Sequence, residues 1–144
     1  MDKAPLIRDH MVKNPLTIDM FDTASAAEKI MNARKIHHLP VVDGKKVYGI
    51  VSDRDISVSR RAYKSGEFDG KVLVKDICLE DPLIVKETES LDYVASIMSK
   101  KRLDAVIIVR DNIPVGIFTS SDACKFIAEI FRPEGTGFWS GLLK

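Results

Sequence analysis

Apolar residues in this chain follow two rhythms, and each occurs twice. Ala24, Ala27, Ile30 and Met31 recur at helical spacing, and so do Leu91, Val94, Ile97 and Met98. Each set predicts a helix with one buried face. Thr23 and Ser90 stand where their N-caps belong. After each helix come two short apolar runs, residues 39–42 and 47–52, then 105–109 and 115–119. These predict paired strands. Asp43-Gly44-Lys45-Lys46 divides the first pair and predicts a tight hairpin. Arg110-Asp111-Asn112-Ile113-Pro114 divides the second, where Asn112 can take the turn conformation that Gly44 supplies. The runs 105–109 and 115–118 are apolar on both faces, so the strands they form need cover on both sides.

The two halves are one pattern used twice. At a displacement of 67, residues 9–55 align on 76–122 without a gap, and nine of the 47 positions are identical. The identities fall at apolar and turn positions, among them Pro15/Pro82, Met31/Met98 and Gly49/Gly116. Each copy opens with a short helical turn (7–11, 74–78), ended by Pro15 or Pro82. A brief extended piece (16–18, 83–85) precedes the helix, and a last helix (53–63, 120–131) closes the copy. The expected organisation is repeat 1 over 6–64, an inter-repeat loop over 65–73, repeat 2 over 74–131 and a tail over 132–144. Phe138, Trp139, Leu142 and Leu143 in that tail are apolar, and are expected to pack on the body, on a dimer partner or on another protein.

The candidate chemistry lies where the third strand of each copy enters its last helix. Gly49-Ile50-Val51-Ser52-Asp53-Arg54-Asp55 recurs as Gly116-Ile117-Phe118-Thr119-Ser120-Ser121-Asp122. A hydroxyl beside the free N–H groups of a helix start suits an anion such as phosphate. A carboxylate one turn later can accept two hydrogen bonds from a sugar diol. Together they suit a ribose phosphate. The same residues also make plain helix N-caps, with the aspartates favouring the positive helix end.

Composition narrows the function. Of 144 residues, 45% are hydrophobic, which allows a real core. Lys and Arg (22) nearly balance Asp and Glu (21), so no strong field favours nucleic acid or an anionic membrane. No apolar run approaches the roughly 20 residues of a membrane span, and the N-terminus is too polar for a secretory signal. Cys78 and Cys124 sit in apolar patterns and read as free, buried thiols of a reducing cytosol. No nucleophile stands in a recognisable acid–base context. His10, His37 and His38 lack metal-ligand spacing, since adjacent residues at a strand start point to opposite faces. Arg34-Lys35 and Lys100-Lys101-Arg102 are helix-end charges without the aromatic interleaving of nucleic-acid sites.

Strand, helix, hairpin and helix, twice over, with the doubled motif above and His38-Leu39-Pro40-Val41-Val42-Asp43, resembles the cystathionine-β-synthase (CBS) domain in tandem, a Bateman module. The resemblance covers about residues 6–131. It implies an α/β (α+β) fold of two repeats packed about a pseudo-two-fold axis, with two equivalent clefts. It implies a non-catalytic regulatory module that senses AMP, ADP, ATP or a related adenosyl compound. One cleft would join Ser52, Arg54 and Asp55 to Leu83, Ile84, Asp104 and Ala105. The other would join Thr119, Ser121 and Asp122 to Leu16, Thr17, His37 and His38. It further implies a cytoplasmic homodimer, with the regulated protein effector outside this chain. The alternative is a structural dimerisation or partner-binding module without a nucleotide. Of the two clefts, that of Asp122 is expected to be the better phosphate site: it gathers hydroxyls and a histidine, while Asp53, Asp55 and Asp104 crowd the other, whose one close cation, Arg54, would reverse the order if aimed inward.

Overall fold

The computed structural model describes residues 4–64 and 66–132. After a 3-10 turn at Ile7–Asp9 the chain forms β1 (Val12–Lys13), β2 (Ile18–Asp19), α1 (Ala24–Arg34), β3 (His38–Asp43), β4 (Lys46–Ser52) and α2 (Asp53–Arg61). The second half repeats the order as α3 (Val74–Ile77), β5 (Leu79–Glu80), β6 (Ile84–Lys86), α4 (Leu91–Lys101), β7 (Ala105–Arg110), β8 (Ile113–Thr119) and α5 (Ser120–Ile130).

Local chemistry sets the element ends. The Thr23 hydroxyl accepts from the Ala26 N–H at 3.1 Å and caps α1. Ser90 has the extended cap backbone before α4, but its side chain makes no capping bond. Both helices stop at a left-handed residue, Lys35 and Arg102, each with φ 55. Their N–H groups return to the carbonyls of Met31 and Met98, which satisfies part of the helix end. Gly44 turns the first hairpin with φ 63. In the second, Asp111 and Asn112 both take positive φ (52 and 62), so Asn112 does not act alone. Short polar side chains tolerate that region.

Two four-stranded sheets result, in the orders β2-β3-β4-β5 and β1-β8-β7-β6. Each contains a strand from the other half. β5 pairs with β4, Gly49 opposite Glu80, and β1 pairs with β8, Lys13 opposite Gly116. The segments around these strands are exchanged too. The Ile7 N–H donates to the Glu89 carbonyl (2.8 Å) and Leu91 N–H to Pro5 (2.7 Å). Sixty-seven residues away, Val74 N–H donates to Asp22 and Ala24 N–H to Val72, both at 2.8 Å. The pseudo-symmetry therefore extends to the hydrogen bonds that tie the halves together.

Burial follows the same exchange. Ile7 is fully buried with Val94, Val106, Ile108 and Phe118, all from the second half. Phe68, Val72 and Val74 pack with Leu39, Val51 and Ile56 of the first. Phe68 lies in irregular chain, yet it is buried in that core, with Arg60 stacked over its ring at 4.4 Å. Arg60 also pairs with Glu28 (2.6 Å) and Asp69 (3.2 Å), which fastens the loop. A third cluster, Ile50, Ile107 and Ile117, fills the space between the sheets with Val47, Ala105 and Val109. Along β7, Val106 and Ile108 face one cluster and Ile107 the other, which gives the two-sided cover the sequence requires.

The cysteines differ from the sequence reading. Cys78 is half-buried, but Cys124 is exposed on α5. Helix α5 buries none of its residues fully, so its apolar pattern did not mean a core position. The tail residues Phe138, Trp139, Leu142 and Leu143 lie outside the described residues.

Candidate functional site

Both strand-to-helix junctions form complete capping boxes. Ser52 Oγ accepts from the Asp55 N–H at 3.1 Å, and Asp55 Oδ2 accepts from the Ser52 N–H at 2.9 Å. Thr119 and Asp122 repeat this at 3.3 and 2.9 Å, and the Thr119 hydroxyl donates to Asp122 Oδ2 at 2.9 Å. Two free N–H groups are thereby satisfied at each helix start. The capping reading of the motif is therefore correct. It does not exhaust the side chains, because every bond that the two carboxylates accept falls on Oδ2 and leaves Oδ1 as an acceptor.

The motif glycines serve packing. A Cβ on Gly49 would lie 2.4 Å from the Leu79 carbonyl oxygen of the exchanged strand and 3.1 Å from Cys78 Sγ. On Gly116 it would lie 2.1 Å from Met11 Sδ. Each junction thus carries a bare Cα where the other half crosses it.

A cleft of about 690 Å³ opens beside the second junction. That volume lies within the usual range for small-molecule sites. Thr119, Ser121 and Asp122 form one wall; Leu16, His37 and His38 come from the first half. Asp104, expected in the other cleft, lines this one as well, while Thr17 is exposed and is not among its lining residues. The charge balance differs accordingly: two carboxylates face Lys35 and two histidines. Lys35 and Asn14 are lining residues that the sequence reading missed. Asn14 carried a signal, since it precedes Pro15 as Asp81 precedes Pro82, and both take positive φ (50 and 55).

Of the counterpart residues, Asp104 alone lines this cleft. Arg54 lines an open depression of about 540 Å³ on α2, with Asp53, Ser57, Val58 and Arg61. Leu83 packs on the second core and Ala105 on the cluster between the sheets, while Ile84 is exposed. Ser52 and Asp55 are half-buried at their capping box.

His37 is exposed, with Nδ1 2.6 Å from Asp53 Oδ2. His38 is half-buried, and burial pushes its pKa down; Asp104 and Asp53 oppose that shift without cancelling it. Burial pushes the Cys78 thiol up to about 11, so it is a poor nucleophile. Among the described residues no three His, Cys, Asp or Glu side chains gather as metal ligands. No helix among them is long and apolar enough to cross a membrane.

The family model described as CBS domain matches residues 7–59 and 74–129, one match for each half. The chain belongs to the CBS-domain family. It is a tandem CBS pair, and the exchanged strands are part of how its two repeats join. The CBS domain pair of protein MJ0100, solved with 5'-methylthioadenosine and S-adenosyl-L-methionine, is 29% identical. It superposes with a TM-score of 0.78 over 89% of this chain and 99% of that one. CBSX2 from Arabidopsis thaliana, solved with AMP, shares the fold at 21% identity and a TM-score of 0.75, over 89% of this chain and 99% of that one. L-aspartate semialdehyde sulfurtransferase of Methanocaldococcus jannaschii is 32% identical over 122 residues, 83% of this chain but 23% of that protein. The chain thus spans about a quarter of that curated relative's length.

Proposed function

We propose that this CBS pair is a non-catalytic regulatory module that binds an adenosine-containing ligand in the Thr119–Asp122 cleft. AMP, ADP, ATP and adenosyl thioethers or sulfonium compounds are the candidate class. The observation that carries the reading is the cleft itself. It combines the free face of a capping box with Leu16, His37 and His38 from the other repeat. Asp122 Oδ1 would take the ribose hydroxyls, the Thr119–Ser121 segment a phosphate or other 5' substituent, and Leu16 with Ile36 the base. The adenosyl ligands of the related MJ0100 pair support this class. Calorimetry with AMP and 5'-methylthioadenosine tests it. Binding should be lost or sharply weakened in Asp122→Asn and retained in Asp55→Asn. Equal loss in both, or none in either, would place the ligand elsewhere.

A second reading, homodimerisation, has its own observation. Helix α5 exposes Ile127 (55%), Ile130 (55%) and the following Phe131 (73%) on one short stretch. Contiguous apolar surface of this kind marks interfaces. In this reading the module pairs through α5, which lies beyond the capping box and leaves the cleft open.

A further inference from the structure

The His37–Asp53 pair is an asymmetric feature of a symmetric scaffold. His37 Nδ1 lies 2.6 Å from Asp53 Oδ2. An ionised carboxylate only accepts, so Nδ1 carries the hydrogen and Nε2 is the free ring position. The same residues are tied through the backbone, where the Asp53 N–H donates to the His37 carbonyl at 3.1 Å. That backbone tie recurs in the other repeat, from the Ser120 N–H to the Asp104 carbonyl at 2.9 Å. The side-chain pair does not recur, because the corresponding positions hold Asp104 and Ser120. The fold therefore does not require it. It has been added on one side only, at a residue that lines the 690 Å³ cleft.

We propose that Asp53 positions His37 as a charge-selecting residue of the Thr119–Asp122 cleft, favouring ligands with a phosphate monoester over neutral adenosine compounds. The inference rests on the adenosine reading above and assigns the ligand's charge. With Nδ1–H held by Asp53, a proton on Nε2 makes the ring a cation that can donate to a phosphate oxygen. Without that proton, Nε2 presents a lone pair and disfavours the phosphate. Neutral ligands gain nothing from the switch.

Several charged groups surround the neighbouring His37 and His38 rings and the cleft they line. Asp53 and Asp55 come from α2, His38 from β3, Lys35 from the end of α1, Asp104 from the turn before β7 and Asp122 from α5. Burial lowers the His38 pKa, so that ring takes its proton at lower pH than an ordinary histidine.

The test is calorimetry with AMP and adenosine at about pH 6 and about pH 8, on wild type, His37→Gln, Asp53→Asn and Asp53→Ser. The AMP phosphate itself gains charge near pH 6. Dividing the wild-type affinity by the variant's at each pH cancels that effect. The AMP-over-adenosine preference of wild type should exceed that of His37→Gln by about three- to tenfold at the lower pH, given a charge-assisted bond at an exposed site. The excess should shrink at the higher pH. Both Asp53 variants should flatten the pH response and keep their adenosine affinity. An identical preference in wild type and His37→Gln at both pH values would overturn this inference alone. Binding of neither ligand by wild type would remove the adenosine reading and this inference together.

Discussion

Asp122 Oδ2 accepts two hydrogen bonds from Thr119, one from its backbone N–H and one from its hydroxyl, each at 2.9 Å. The carboxylate that a ribose would use is already part of the fold. The two readings of the motif, ligand site and helix cap, thus meet in one side chain, and its removal must also cost stability. Asp122→Ala should cost about 1 kcal/mol, or about 2–4 °C in melting temperature for a chain of this size. Asp122→Asn keeps an acceptor oxygen and should cost less than half as much, while weakening the ligand as strongly as Ala does. Thermal unfolding of the two variants without ligand checks this. Equal melting of both with wild type would show that the box adds no stability.

Gly49 and Gly116 hold equivalent places but should not tolerate substitution equally. An added Cβ at 49 meets the Leu79 backbone oxygen at 2.4 Å, whereas at 116 it meets the flexible end of Met11. Main chain can yield only by breaking the pairing of β5 with β4; a thioether can rotate away. Gly49→Ala should destabilise by about 2–3 kcal/mol and Gly116→Ala by less than about 1 kcal/mol. Urea midpoints at constant slope measure the difference. The reverse order would contradict the account of the exchanged strands.

Those strands mark where the sequence stopped being informative. The helices, hairpins and repeat were legible because 3.6-residue periodicity, the Asp43-Gly44 turn and the 67-residue displacement are local or regular signals. β1 and β5 have two residues each, too few to show alternation, and their partners lie about 100 and 30 residues away in the chain. Phe68 and Val72 gave no periodic signal because they enter the core singly, from irregular chain. At the site, Thr119, Asp122 and His37 were legible from the motif and the family pattern. Asp104 was assigned to the other cleft alone and Lys35 was missed, because both face this cleft from turns whose direction depends on tertiary packing.

His38 gives the fold an acid sensitivity. Its pKa is lowered in the folded protein by burial, so the unfolded chain takes up the proton first as pH falls below about 6.5. The stabilising contribution is present above that pH and is lost as pH falls from there toward the folded value. The urea midpoint of wild type should therefore drop more between about pH 7 and about pH 5 than that of His38→Gln. Parallel pH profiles for the two proteins would contradict the burial account.

The α5 surface predicts association. Light scattering at micromolar concentration should show a species of twice the 16.1 kDa chain mass. Ile127→Asp combined with Ile130→Asp should return it to a monomer without changing the melting of the isolated module by more than about 1 kcal/mol, because both positions are more than half exposed. A strict monomer in wild type would remove the dimer reading.

The most direct test of the central claim is thermal unfolding with and without adenosine compounds. AMP, ADP, ATP, 5'-methylthioadenosine and S-adenosyl-L-methionine form the panel. A ligand at 100 times its dissociation constant stabilises the native state by about 2.7 kcal/mol. For this chain that corresponds to about 5–10 °C. At least one compound should produce such a shift in wild type, and the shift should be lost in Asp122→Asn. An unchanged melting temperature with every compound would contradict the adenosine-binding function and leave the module a structural one.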